Sequence, residues 1–203
     1  VTAPIVARVA ASVKAASEFD SAFTGVKKTV DEAKDANGKT TISYKDLEGS
    51  IRQMAKTIPA TTTEISHVAE SAGQLGIKTE NVMSFTRTMI DMGQATNMSS
   101  EDASVALAKL ANITGMPQKN FDRLGSSIVN LGNNMATTES AIVDMSLRLA
   151  GTGHQVGLTE SQITGLAAAM SSVGINAEAG GGAMSRVMQK MNTSVLSGGE
   201  TLD

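Results

Sequence analysis

His67 and His154 are the only histidines among these 203 residues, and the chain has no cysteine. A metal centre would have to be assembled around one of them from carboxylates. Zinc needs three or four ligands of the His, Cys, Asp or Glu type, converging from set spacings. Glu64 and Glu70 flank His67 three residues to either side, but no second histidine stands at ligand spacing. The expected place for His67 is therefore an exposed helix face. Gly151-Thr152-Gly153-His154-Gln155-Val156-Gly157 is rich enough in glycine to cradle a phosphate, yet no strand precedes it and its spacing fits neither nucleotide-binding pattern. It reads as a turn between helices. Gly180-Gly181-Gly182 precedes a helix carrying Arg186 and Lys190. An anion could sit at such a helix start, although a helix entry packed closely on a neighbour is the stronger expectation. No Gly-x-Ser-x-Gly elbow, cysteine nucleophile or paired carboxylates can be found. No catalytic, cofactor-binding or metal-ligating residue is expected, and the chain reads as a non-enzyme.

The elements that would hold such groups are thinly built. Ala, Leu, Ile, Val and Met supply the apolar side chains, with twelve methionines, no tryptophan, four phenylalanines and one tyrosine. Aromatics bury roughly 150–250 Å² each, so cohesion here must come from many small contacts and from adaptable methionines. Without cysteine there is no disulfide framework. The formal charge is −3, with nine basic and seven acidic residues up to residue 60 and eight and thirteen beyond it. Neither part offers a phosphate-binding surface, and no nucleic-acid partner is expected. The longest apolar run, Leu166 to Met170, falls far short of the ~20 residues that a membrane-crossing helix needs. No signal-peptide pattern opens the chain, and its end at Ser197-Gly198-Gly199-Glu200 reads as linker, so a fragment is expected.

Periodicity points to an all-α fold: one long amphipathic helix followed by a series of short helices or helical hairpins. From Pro4, apolar residues recur at Val6, Val9, Val13, Ala16, Phe19, Phe23, Val26, Val30 and Ala33. Residues 1–36 form a helical arm that either self-associates as a coiled coil or lies along its own bundle. Residues 37–60 read as a connector with a short helix opened by Ser43 and ended by Pro59, and residues 61–203 as a helical core region. Hydroxyl caps recur at Thr61, Thr79, Ser99, Thr137 or Thr138, and Thr159. Glycine stops are expected at Gly73 and Gly76, Gly93, Gly115, Gly132, Gly151 or Gly153, and Gly174. Gly76-Ile77-Lys78-Thr79-Glu80 echoes Gly157-Leu158-Thr159-Glu160 with a one-residue mismatch, hinting at repeated hairpins. Val82, Phe85, Met89 and Met92; Leu107, Leu110 and Ile113; Ile163, Leu166, Ala167, Met170 and Val173; and Met184, Val187, Met188, Met191 and Val195 read as inner faces.

Several ordered pieces carry a family resemblance. Gly157-Leu158-Thr159-Glu160-Ser161-Gln162 is followed by Leu166-Ala167-Ala168-Ala169-Met170, by Val173-Gly174-Ile175-Asn176-Ala177-Glu178-Ala179-Gly180, and by Ala183-Met184-Ser185-Arg186-Val187-Met188. Earlier stand Ala69-Glu70-Ser71-Ala72-Gly73-Gln74-Leu75-Gly76-Ile77 and Ser99-Ser100-Glu101-Asp102-Ala103. From about Leu47 onward the chain resembles the conserved core region of phage tail tape measure proteins, the TP901-type family. It departs where relatives commonly show Ala-Gly-Thr, having Ala179-Gly180-Gly181-Gly182 instead. The resemblance implies a virion structural protein of the phage tail. It implies a location in the tube lumen, assembly in the host cytoplasm, determination of tail length, and ejection toward the host envelope to aid genome delivery. The partners it implies are tail tube protein, baseplate hub or distal tail proteins and tail assembly chaperones. Self-association, as a homo-oligomer such as a trimer, is expected of the arm. The contact residues to look for are Val9, Val13, Phe19, Phe23 and Val26 on the arm, and Ala183, Met184 and Val187 after the glycines. A helical coiled-coil signalling or secreted effector protein is the alternative, and it should keep its heptads unbroken for longer.

Overall fold

The computed structural model describes residues 3–198, with side chains from Ser12 onward. Nine α-helices account for most of the described residues: α1 (Ala3–Thr29), α2 (Tyr44–Met54), α3 (Thr62–Gln74), α4 (Thr79–Ala95), α5 (Ser100–Thr114), α6 (Phe121–Asn134), α7 (Glu139–Gln155), α8 (Glu160–Ser172) and α9 (Ala177–Leu196). The fold is all-α, apart from a small antiparallel ribbon of β1 (Ala33–Lys34) and β2 (Thr40–Ile42). Two compact units divide the chain, Val1–Ile90 and Asp91–Asp203, the boundary falling inside α4.

In the first unit, α1 packs along α3 from Phe19 onward. Phe19, Ala22, Phe23, Val26 and Val30 are buried, as are Ile65, Val68, Ala69 and Ala72 of α3. Small residues let the helices cross closely: a Cβ added to Gly73 would stand 2.6 Å from the Thr29 carbonyl oxygen. The Thr29 hydroxyl donates across the crossing to the Glu70 carbonyl at 3.1 Å. Leu47 and Ile51 of α2 are buried as well. α1 stops at Thr29 instead of running to residue 36. The Asp35 carboxylate accepts the Asn37 and Lys39 amides, both at 2.9 Å, and folds the chain into a turn through left-handed Gly38. Such side-chain-to-backbone bonds compete directly with helix. Ala33, expected on the arm's stripe, is drawn into the ribbon opposite Ile42.

In the second unit α7 is central, packing on α5, α6, α8 and α9, while α6 packs on α8. α5 and α9 thus both lie against α7, and α6 lies against α8. Met145, Leu149, Ile163, Ala167, Met170 and Met188 form one buried cluster joining α7, α8 and α9. The α7 start is tied down twice. Asn97 accepts the Ser140 amide at 3.2 Å and donates to its hydroxyl at 2.8 Å, while Thr137 donates to the Ser171 hydroxyl at 2.9 Å.

Local chemistry sets this rhythm. Ser43, Thr61 and Thr159 open α2, α3 and α8 with full capping boxes. Ser99 and Thr138 cap α5 and α7, and Asn176 caps α9. Thr61, Ser99, Thr138 and Asn176 recur at intervals of roughly 38 residues, a hairpin period. Thr79 does not cap α4; its hydroxyl donates to the Asp31 carbonyl at 2.7 Å. Helix ends are left-handed glycines at Gly76, Gly115, Gly157 and Gly174. After each, an apolar residue's amide reaches back five residues: Ile77 to Ala72, Met116 to Ala111, Leu158 to Gly153 and Ile175 to Met170, at 2.8–3.2 Å. This is the Schellman closure, which only glycine adopts freely. Gly73, Gly93, Gly132, Gly151 and Gly153, expected as stops, lie inside helices. Gly93, Gly132 and Gly153 instead make room for Ser100, Glu139 and Ile163.

Candidate assembly surface

α9 carries the most extended apolar surface among the described residues. Asn176 opens it, its carboxamide oxygen accepting the Ala179 amide at 2.9 Å. The glycine triplet therefore lies inside the helix and is not its entry. The expected close packing is nonetheless present, because Gly181 lies against Arg148 and Met145 of α7, where an added Cβ would sit 2.7 Å from the Arg148 Cβ. With the backbone drawn in, Met188 is buried and Met184 half-buried. Ala183, Val187, Met191 and Val195 follow one another every fourth residue, the spacing of a packing ridge on a helix surface. All four face solvent, Val187 at 49%, Met191 at 57% and Val195 at 78% exposure. Val187, Met191 and Val195 were expected on the inner face. The helix is apolar over a wider arc than α7 covers, and a helix apolar on two sides calls for two neighbours. That breadth was the signal for Met191 and Val195 as surface residues.

The arm candidates behave differently. Phe19, Phe23 and Val26 are buried within the first unit, with 2%, 4% and 0% exposure, and offer no outward surface there. Their rings stack at 5.7 Å, with the Arg52 guanidinium 4.2 Å from the Phe19 centroid and the Lys27 ammonium 5.1 Å from that of Phe23. Val13 is 64% exposed, and every residue from Ser12 to Glu18 is exposed. Val9 lies outside the residues whose side chains are described.

The sequence's chemical candidates lie at the surface. His67 is exposed, with Nδ1 3.8 Å from the Glu70 carboxylate. His154 is an exposed residue in the last turn of α7. Arg186 and Lys190 are exposed on α9. Among the described residues no group of three or more His, Asp or Glu side chains could hold a metal, and no helix is long and apolar enough to cross a membrane. A groove of about 480 Å³ beside α5 and α7 gathers Glu101, Asp102, Asp144 and Lys109. Asp46 and Glu64 have lowered pKa values. Bonds from the Ser43 hydroxyl and amide hold the Asp46 carboxyl below its usual range, and bonds from the Thr61 amide and hydroxyl do the same for Glu64. Each completes the capping box at the start of its helix.

The described helices cohere through small apolar side chains, and α9 turns a further apolar ridge outward. Residues 48–203 match the phage-related minor tail protein family. The chain belongs to that family, and its place is the phage tail. Over 124 residues it is 28% identical to the probable tape measure protein of Halomonas phage phiHAP-1, a stretch covering 57% of this chain and 14% of that relative. The chain thus spans a small part of that relative's length. No solved structure matches it.

Proposed function

We propose that this chain is a segment of a tail tape measure protein of the TP901-type, acting as a structural element in the tube lumen. In this reading the parent polypeptide sets tail length by templating tube assembly in the host cytoplasm, and leaves the tube toward the host envelope as the genome is delivered. The observation that carries it is the likeness to the probable tape measure protein of phage phiHAP-1 within a minor tail protein family. Physical character agrees. The cores are small and rich in Ala and Met, no cysteine can lock them, and helices supply the length. Tail tube protein, baseplate hub or distal tail proteins, tail assembly chaperones and further copies of the chain are the partners this role requires.

The reading is tested in the intact phage by duplicating the hairpin from Thr138 to Ile175 in frame and measuring tails by electron microscopy. A ruler passes added residues on to the tube. The mean length should grow by about 55 Å if they lie as one helix at ~1.5 Å per residue, or by about 10 Å if the hairpin stays folded, one interhelical distance. Tails of unchanged length on otherwise normal particles would contradict the role.

A further inference from the structure

We propose that copies of this chain join head to tail through their second units, the apolar ridge of α9 on one copy lying in the groove between α5 and α7 of the next. These surfaces join copy to copy whether or not the parent protein measures tails.

The ridge comes with a charge. Arg186 and Lys190 are exposed beside Val187 and Met191, and neither forms an ion pair among the described residues. From Asp91 onward the chain carries ten acidic and six basic residues, so two cations side by side on α9 stand out against their surroundings. A surface that covers Val187 and Met191 must therefore be apolar in its middle and hold carboxylates at its edge. A second α9 does not fit, because its one carboxylate, Glu178, stands 3.8 Å from Arg148 of α7. The exposed stretch of α1 does not fit either. Its one carboxylate, Glu18, lies 3.7 Å from Lys14 of the same stretch.

The α5–α7 groove has both properties. Val105 and Ala106 of α5, Leu147 of α7 and Met98 just ahead of α5 give it apolar walls, and all four are half-buried. Glu101, Asp102 and Asp144 stand exposed along it, with Lys109 about two turns further down α5. Asp102 already accepts the Ser99 hydroxyl at 2.7 Å. Glu101 and Asp144 form no ion pair among the described residues, which leaves two carboxylates for two cations. Opposite charges set around an apolar contact steer an encounter and fix its register. The lengths agree as well: Glu101 to Lys109 and Ala183 to Met191 are equal stretches of helix, about 12 Å at ~1.5 Å per residue. A row of residues four apart meeting a furrow is how helices seat on one another. Because ridge and groove are different surfaces, the contact is heterologous, and a copy that gives its ridge keeps its groove for another. Copies then add end on end, as a closed ring or an open row.

Two variants of the 203-residue chain test this, both at exposed positions, so circular dichroism should stay helical. Val187→Glu with Met191→Glu spoils the ridge and leaves the groove. Glu101→Lys with Asp144→Lys reverses the groove and leaves the ridge. Mass is measured by sedimentation equilibrium over a concentration series. The unmodified chain should associate as concentration rises, and each variant alone should need at least ~10-fold more protein to do so. Mixed in equal amounts, the two variants should form a dimer and nothing larger, since one sound ridge then meets one sound groove. An unmodified chain that stays monomeric overturns the proposal, as does a mixture that stays monomeric. Association lost in the ridge variant but kept in the groove variant also overturns it, by pairing ridge with ridge. So does association kept in both variants and lost in Val13→Glu, which would make the arm the seam.

Discussion

α1 and α9 are the two longest helices, both spaced with apolar residues every third or fourth position, and they use that pattern oppositely. In α1 the aromatic and aliphatic residues from Phe19 to Val30 are buried against the chain's own first unit, and the stretch from Ser12 to Glu18 is left exposed. In α9 one apolar face is buried on α7 while a second, from Ala183 to Val195, faces outward. Periodicity tells which residues want cover. It does not tell how many neighbours the chain itself provides.

The sharpest way to test this contrast is to truncate one residue of each kind. Phe19→Ala should lower unfolding stability by about 3–5 kcal/mol, the usual loss for a buried ring. Met191→Ala on the open ridge should change it by no more than about 0.5 kcal/mol. Urea titration followed by circular dichroism separates the two, and a large loss at Met191 would mean that the ridge is already covered in solution.

A middle-sized effect is expected at the α1–α3 crossing. Gly73→Ala adds a methyl 2.6 Å from the Thr29 carbonyl oxygen. Alanine is a better helix former than glycine by about 1 kcal/mol, but overpacking costs about 1–3 kcal/mol, so the net change should be destabilising. Gly165→Ala in α8, with open space around it, should stabilise by the propensity gain alone. Equal thermal shifts at the two sites would remove the close crossing from the account.

Smaller still are the caps. Thr159→Ala removes the hydroxyl that accepts the Gln162 amide at 3.3 Å and should cost about 1 kcal/mol. Asn176→Ala should cost a similar amount if α9 starts where Thr138-type geometry places it, and nothing if the glycine triplet is the true entry.

The smallest expected effect is a pH dependence. Asp46 and Glu64 are held below their ordinary values of 3.8 and 4.5 by bonds from Ser43 and Thr61. A lowered folded acidity contributes stability that is present above the unfolded value and lost as pH falls through the folded one. Urea midpoints should therefore decline below about pH 4.5, with part of the decline absent in Glu64→Gln. Both groups are solvent-exposed, so the effect is modest. A midpoint curve identical in Glu64→Gln and the unmodified chain would dismiss it.

What the sequence makes legible is whatever is settled within a few residues. Ser43, Thr61, Ser99 and Thr159 open helices because a hydroxyl and the amide three positions on need nothing else. Gly76, Gly115 and Gly174 end them because left-handed backbone is costly for other residues. What depends on distant chain is not visible at that range. Gly73 reads as a stop until Thr29 is seen against it, and the spacing of Phe19 and Phe23 fits a self-associating arm as well as the burial within the first unit that the structure has. The glycine triplet hid the Asn176 cap, since three glycines resemble a break and only the nearness of Arg148 shows them to be a packing groove. The family was legible from ordered short pieces, whereas which side of the widely apolar α9 stays open became visible only once Met188 was seen buried and Val187, Met191 and Val195 exposed.

Joining hairpins through left-handed corners, with α5 on α7 and α7 on α9, has a mechanical consequence. Cohesion in such a stack is arranged in series, each interface holding only its neighbour. Pulled from its end, the chain should yield one hairpin at a time at low force, giving small evenly spaced rips in an optical trap instead of one large one. With no disulfide to bridge successive hairpins, each released length is free to pass on before the next lets go.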